Sequence, residues 1–165
     1  MKRAFFVALL FVIIYALLWV AWLFVSDLYL FPNDIIGTHY EVPLPNHNRL
    51  VSVVVDYGEI VDDADDVFVR RVDSLQVVGD FVVGRDAAIF FSFNTISKEV
   101  VHFDSISQLI ESQGLAIDSM FSPSEFYGNH RKPFDTLAGI VIAVISLGLS
   151  LLFTRRGKKK HSSRR

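Results

Sequence analysis

Residues 137–160 read LAGIVIAVISLGLSLLFTRRGKKK. The 17 residues 137–153 carry no charge, and seven Lys and Arg then fall between Arg155 and Arg165. An apolar run of that length closed by a basic block is the pattern of a helix that crosses a bilayer and leaves its far end on the cytoplasmic side. Counted from Thr136, the uncharged stretch makes roughly 27 Å of helix, short but sufficient for a hydrocarbon core. Pro133 predicts a break just before it. Asp135 then reads as its N-cap, at the positive end of the helix dipole, with Arg155 and Arg156 at the negative end.

The other end of the chain carries a matching signal. Residues 4–25, AFFVALLFVIIYALLWVAWLFV, are again free of charge and follow Lys2 and Arg3. At roughly 33 Å of helix the run is longer than the apolar region of a cleaved signal peptide, and Phe24, Val25 and Ser26 make a poor small-residue cleavage exit. Trp19, Trp22 and Tyr29 fit an aromatic belt at the outer interface, and His130, Arg131 and Lys132 suit headgroup contacts near the second span.

Both termini are basic and therefore expected in the cytoplasm, with residues 26–133 outside it. Between them lie 17 acidic and 7 basic residues, so a net charge of −2 for the 165-residue chain conceals −10 in the middle. The expected localisation is a bacterial plasma membrane. The expected segments are a cytoplasmic start (1–3), a first span (4–25), an extracytoplasmic stalk (26–49), a folded domain (50–133), a second span (134–153) and a basic cytoplasmic tail (154–165). Anionic lipid and topology account for that tail, so no nucleic-acid partner is expected.

Within the second span, Gly139, Ala143, Ser146 and Ser150 recur at spacings of 4, 3 and 4, which sets four small residues on one helix face. Such a stripe predicts helix–helix contact, with the first span, a second copy or another membrane protein. Tyr15 is the one ionisable side chain within either span's interior, which argues against a transport path or proton relay.

The stalk, SDLYLFPNDIIGTHYEVPLPNHNR, holds Pro32, Pro43 and Pro45 and reads as irregular. From Leu50 the pattern changes. Val51, Val53 and Val55 alternate as in a strand, and residues 66–72 make another. LQVVGDFVVG, residues 75–84, predicts a hairpin about Gly79-Asp80. Ile89, Phe91 and Phe93 share a face, and residues 99–103 return after a turn. Ser105 and Gln108 form a capping box for a short helix with Ile106, Leu109 and Ile110 as its apolar face, closed by Gly114. The expected fold class is a membrane-anchored α+β protein: two transmembrane helices flanking a small extracytoplasmic antiparallel β-meander domain with one short helix.

Candidate chemistry is sparse. The chain has no cysteine, which excludes disulfides, thiolate zinc sites and cysteine nucleophiles. Asp56, Glu59, Asp62, Asp63, Asp65 and Asp66 are dense enough for calcium, but an EF-hand register from Asp63 puts Phe68 where Gly is required, so a solvated acidic turn is expected. His39, Glu41 and His47 do not have zinc-site spacing. His102 reads as an outward strand residue. Phosphate-loop, dinucleotide, nucleophile-elbow and metalloprotease motifs are absent. No catalytic residue, metal or cofactor is therefore expected. The function expected is a non-enzymatic accessory or scaffold subunit of a membrane assembly, its partners being lipid and an integral membrane protein or second copy. The alternative is an envelope enzyme acting on a lipid-linked or cell-envelope substrate.

Overall fold

The computed structural model describes residues 2–31, 39–54 and 57–162. It divides into two compact units: Met1–Leu30 with Lys132–Arg165, and Phe31–Arg131.

The first unit is built from helix α1 (Lys2–Tyr29) and most of a long helix. The segments Ala4–Tyr29 and Pro123–Thr154 are long and apolar enough to cross a membrane. Aromatic rings one turn apart make a ladder along α1: Phe11 on Tyr15 at 5.9 Å and Tyr15 on Trp19 at 6.2 Å between centroids. Trp22 Nε1, one turn further, donates to Asp135 Oδ1 at 3.0 Å.

The second unit is β-rich. Strands β1 (Tyr40–Leu44), β2 (Asn48–Val54), β3 (Tyr57–Asp62) and β4 (Val67–Val72) form one antiparallel sheet in that order. Strands β5 (Ser74–Val78), β6 (Phe81–Asp86), β7 (Ile89–Asn94) and β8 (Val100–Phe103) form a second. The expected single meander is thus two meanders. The expected stalk contains β1 and the start of β2, because β1 is an edge strand and Pro43 lacks only an N–H that an edge can do without. Val55 and Asp56 lie outside the described residues.

The expected hairpin has the register Val78↔Phe81. Gly79 has φ +60 and Asp80 does not have positive φ, which makes the turn type II′ rather than I′. The sheets face one another across a core of Tyr40, Val42, Leu44, Leu50, Ile60, Val69 and Val72 from the first, and Leu75, Val82, Phe91 and Phe93 from the second. Phe68 stacks on Phe93 at 5.2 Å. Gly84 sits opposite Phe91 in the ladder, where an added Cβ would fall 2.4 Å from Ser74 O and 2.7 Å from the Phe91 ring. Val83 and Ser92, paired in the register, are buried on the reverse face.

Helix α2 (Ile106–Gln113) packs against β7 and β8 with Leu109 fully buried. Ser105 Oγ accepts from Gln108 N at 3.3 Å, and Gly114 closes the helix at φ +62, so both expected caps form. Gln108 Oε1 returns to Asp104 N rather than to the N-cap amide. Of the expected apolar face, Ile106 and Ile110 are exposed.

The long helix α3 runs Pro123–Ser162 with Pro133 inside it, so Asp135 is not an N-cap. The helix starts earlier because Ser122-Pro123-Ser124-Glu125 is itself a capping box. Ser122 Oγ accepts from Glu125 N at 3.3 Å, and Glu125 Oε2 accepts from Ser122 N at 3.0 Å. Pro at the first helical position costs nothing, whereas Pro133 only removes the bond to Asn129 O and does not end the helix. The first turns of α3 complete the core of the second unit: Tyr127 stacks on Tyr40 at 4.6 Å and meets Phe31 edge-on at 6.1 Å. Burial pushes the Tyr40 phenol above its ordinary range, while Ser52, opposite it in the register, pulls the other way. Among the described residues the Tyr40 hydroxyl has no hydrogen-bond partner, and Ser52 Oγ donates to Tyr57 O at 2.9 Å.

A polar network joins one end of the two sheets. Asn48 Nδ2 donates to Pro45 O at 2.7 Å and across to Thr95 O at 3.2 Å, and Lys98 Nζ donates to Asn48 Oδ1. Asn46 Nδ2 reaches Thr95 Oγ1 at 2.8 Å and Asp80 Oδ1 at 3.1 Å. Asn48 and Thr95 are 3% and 0% exposed.

These contacts predict two stability losses, read from melting of the full chain in detergent. Gly84→Ala should lose about 1–3 kcal/mol, because backbone and a core ring must move to admit a methyl. Asn48→Ala should lose about 2 kcal/mol by leaving buried partners unsatisfied. An unchanged melt for Gly84→Ala would mean that β5 and Phe91 are not packed as described.

Candidate functional site

Of the acidic stretch, Glu59 and Asp62 lie on β3, and Asp63, Asp65 and Asp66 lie in the β3–β4 turn. Asp62 Oδ1 accepts from Ala64 N at 2.9 Å and Asp66 N at 3.0 Å, so this carboxylate shapes the turn. Arg49 bonds Glu41 Oε2 at 2.9 Å and also reaches Asp65. The Glu41 hydrogen bond is the largest of the influences that raise the Arg49 pKa above its ordinary value. His47 Nδ1 lies 3.5 Å from Asp63 Oδ2 with both side chains exposed. His39 precedes β1. Among the described residues no three His, Asp or Glu side chains converge as metal ligands.

The remaining sequence candidates are dispersed. His102 is exposed on β8, opposite Phe91. His130 meets Phe31 edge-on at 6.2 Å. Arg131 Nη1 donates to Tyr127 Oη at 2.9 Å while its guanidinium lies 5.1 Å over the Phe31 ring. Lys132 is exposed. The side chains of Arg155 and Arg156 lie outside the described residues.

The small-residue stripe of α3 turns toward α1. Ser146 and Ser150 are fully buried, and Gly139 and Ala143 are half-buried. A Cβ on Gly139 would lie 3.5 Å from Trp19 Cζ3 and 3.8 Å from the Tyr15 hydroxyl, so the stripe makes room for the α1 ladder. Ser150 Oγ donates to Ser146 O at 2.7 Å and Thr154 Oγ1 to Ser150 O at 2.6 Å, which keeps two hydroxyls satisfied within the helix.

The surface that sequence reasoning missed lies on the α2 side of the second sheet. A groove of about 150 Å³ is lined by Phe81, Ser92, Asn94, Glu99, Val101 and Gln113. Pockets for small molecules run to about 300–1,000 Å³, so this one suits one or two side chains rather than a cofactor. It gathers one carboxylate, one hydroxyl and two amides, without the histidine or paired carboxylates that general acid–base chemistry uses. At 100° per residue, Ile106, Ile110 and Gln113 share one flank of α2. The flank that reaches the groove therefore also carries two exposed isoleucines, at 36% and 39%.

Beside the groove runs β8, the outer strand of its sheet. Asn94 N bonds Glu99 O at 2.9 Å, so that pair is of the hydrogen-bonded kind. Alternation makes Ser92–Val101 and Phe90–Phe103 the next such pairs. The N–H and C=O of Val100 and His102 consequently point away from β7. The readable signal was VVHF itself, an uncharged strand without proline directly before a capped helix.

Comparison with protein-family models, with curated proteins and with solved structures finds no match to this chain.

If the acidic turn is held by Arg49 and its own amides, millimolar calcium should leave the thermal melt of the full chain unchanged. A rise of several degrees on adding calcium would instead establish a cation site there.

Proposed function

We propose that the chain is a two-pass protein of a bacterial plasma membrane, with both ends in the cytoplasm and residues 26–133 outside. In this reading it serves as a non-enzymatic accessory or scaffold subunit of a membrane assembly. The anchor follows from two helices of spanning length and from the partition of charge between basic ends and an acidic middle. The observation that carries the binding role is the β8 edge, unpaired among the described residues, beside a groove with room for side chains but without histidine or paired carboxylates in its lining. Because α1 takes up the small-residue stripe, we assign partner contact to the outer domain rather than to that stripe.

The absence of cysteine makes the topology directly testable. Ser97→Cys should react with a membrane-impermeant maleimide in intact spheroplasts, and Ser163→Cys only after lysis. The reverse pattern would invert the topology. Purified in mild detergent through a C-terminal tag, the full chain should bring down a membrane protein in stoichiometric amount. Recovery of the chain alone would remove the accessory reading.

A further inference from the structure

Each open sheet offers two edges to any passing strand, and natural sheets block them. Three of the four edges here are blocked. On β1, Pro43 presents no N–H. On β4, Arg70 and Arg71 are exposed and the ladder to β3 is twice irregular. The β5 edge is already bonded, with Leu75 N to Phe121 O at 2.8 Å and Phe121 N to Leu75 O at 2.9 Å. The β8 edge has none of these devices: its register against β7 is regular and it contains neither proline nor a Lys, Arg, Asp or Glu.

Charge says what β8 is suited to receive. Glu99 immediately precedes the strand and Asp104 immediately follows it. Among the described residues neither carboxylate has an ion-pair partner. Lys98, next to Glu99 in the chain, is turned inward, with Nζ on Asn46 O and Asn48 Oδ1 and 5.7 Å over the Phe68 ring. Residues 73–118, which hold the whole second sheet and α2, contain seven acidic and two basic residues. The apolar side chains available to an incoming strand are Val101, 37% exposed, and the isoleucine flank of α2.

We infer that β8 is a docking strand for an extended segment of a partner protein, apolar at alternate positions and basic at its ends. This rests on the reading of the protein as a binding subunit. The segment adds to the sheet through the outward N–H and C=O groups of Val100 and His102, which supply the affinity of strand addition. Its inward side chains lie toward Val101 and the groove, and its terminal Lys or Arg residues meet Glu99 and Asp104.

The test uses the full-length protein in mild detergent and three labelled peptides, read by fluorescence anisotropy. One is Lys-Val-Thr-Val-Thr-Val-Lys, one carries Glu at both ends, and one keeps the lysines but has Pro for the central Val. The first should bind at least about tenfold more tightly than either of the others. His102→Pro removes an outward N–H while leaving the bonds that Val101 and Phe103 make to β7, so it should cut binding at least about tenfold. The pair Glu99→Lys and Asp104→Lys should reverse the preference between the Lys-ended and Glu-ended peptides, and it decides the matter if His102→Pro does not fold.

Equal binding of the two lysine peptides would reduce the effect to charge and overturn strand addition, as would failure of wild type to bind any of them. A wild-type dimer that His102→Pro makes monomeric would put a second copy on β8 and overturn the basic-partner assignment. The outcomes also separate this inference from the accessory reading. A co-purifying membrane protein retained by both variants sinks the β8 assignment alone. A chain that purifies alone yet binds the peptide sinks the accessory reading alone.

Discussion

The β-rich unit depends on a buried amide. Asn48 sits where the β1–β2 turn of one sheet meets the β7–β8 turn of the other, and its carboxamide uses both ends: the NH2 toward backbone carbonyls of both sheets, the oxygen toward the Lys98 ammonium. A four-stranded sheet has two faces and cannot bury either alone. These two sheets bury one face each against the other, and the polar network sets their register at that end while Asp73, the single residue between β4 and β5, sets it at the join. Asp73 N donates to Arg85 O at 2.8 Å, so even that joint is tied down. Because its two buried members, Asn48 and Thr95, are bonded to one another and to partners on both sheets, the network specifies one arrangement of the sheets as well as holding it.

The helical unit solves a different problem with different chemistry. On the two-pass reading proposed above, these helices pack in hydrocarbon, where no hydrophobic force acts between helices and packing must come from shape and hydrogen bonds. Trp19 and Tyr15 of α1 meet Gly139 of α3, and the Trp22–Asp135 bond adds a directional contact near one end of the pair. The expected close backbone approach along the stripe becomes a ring-over-glycine contact, since what fills the space above Gly139 is Trp19.

Local signals carried much of the fold. Gly79-Asp80 named its hairpin because only a positive φ fits that turn, and Ser105 and Gly114 marked both ends of α2 because caps are satisfied within a few residues. Three features resisted. Pro43 and Pro45 hid the β1–β2 hairpin, because a proline's meaning depends on whether its strand is an edge, and that is a tertiary fact. Pro133 suggests a break, but the Ser122-Pro123-Ser124-Glu125 capping box is the stronger start signal and begins the helix well before it. The division into two sheets depends on which strands do not pair, and no pattern within one strand states it. For the candidate site, VVHF was visible as a strand, but its standing as an open edge emerges only once the other three edges are seen to be blocked.

The ordering of the strands has a kinetic consequence. Every ladder joins strands adjacent in the chain, so each sheet is assembled from contacts of short sequence separation. Chains rich in local contacts fold fast, because little loop entropy is lost before each contact forms. As the polypeptide emerges from its N-terminal side, the first meander can close before the second has been made. The Leu75–Phe121 bridge is the long-range backbone closure of the second sheet, so the domain matures only when the residues leading into the final helix arrive.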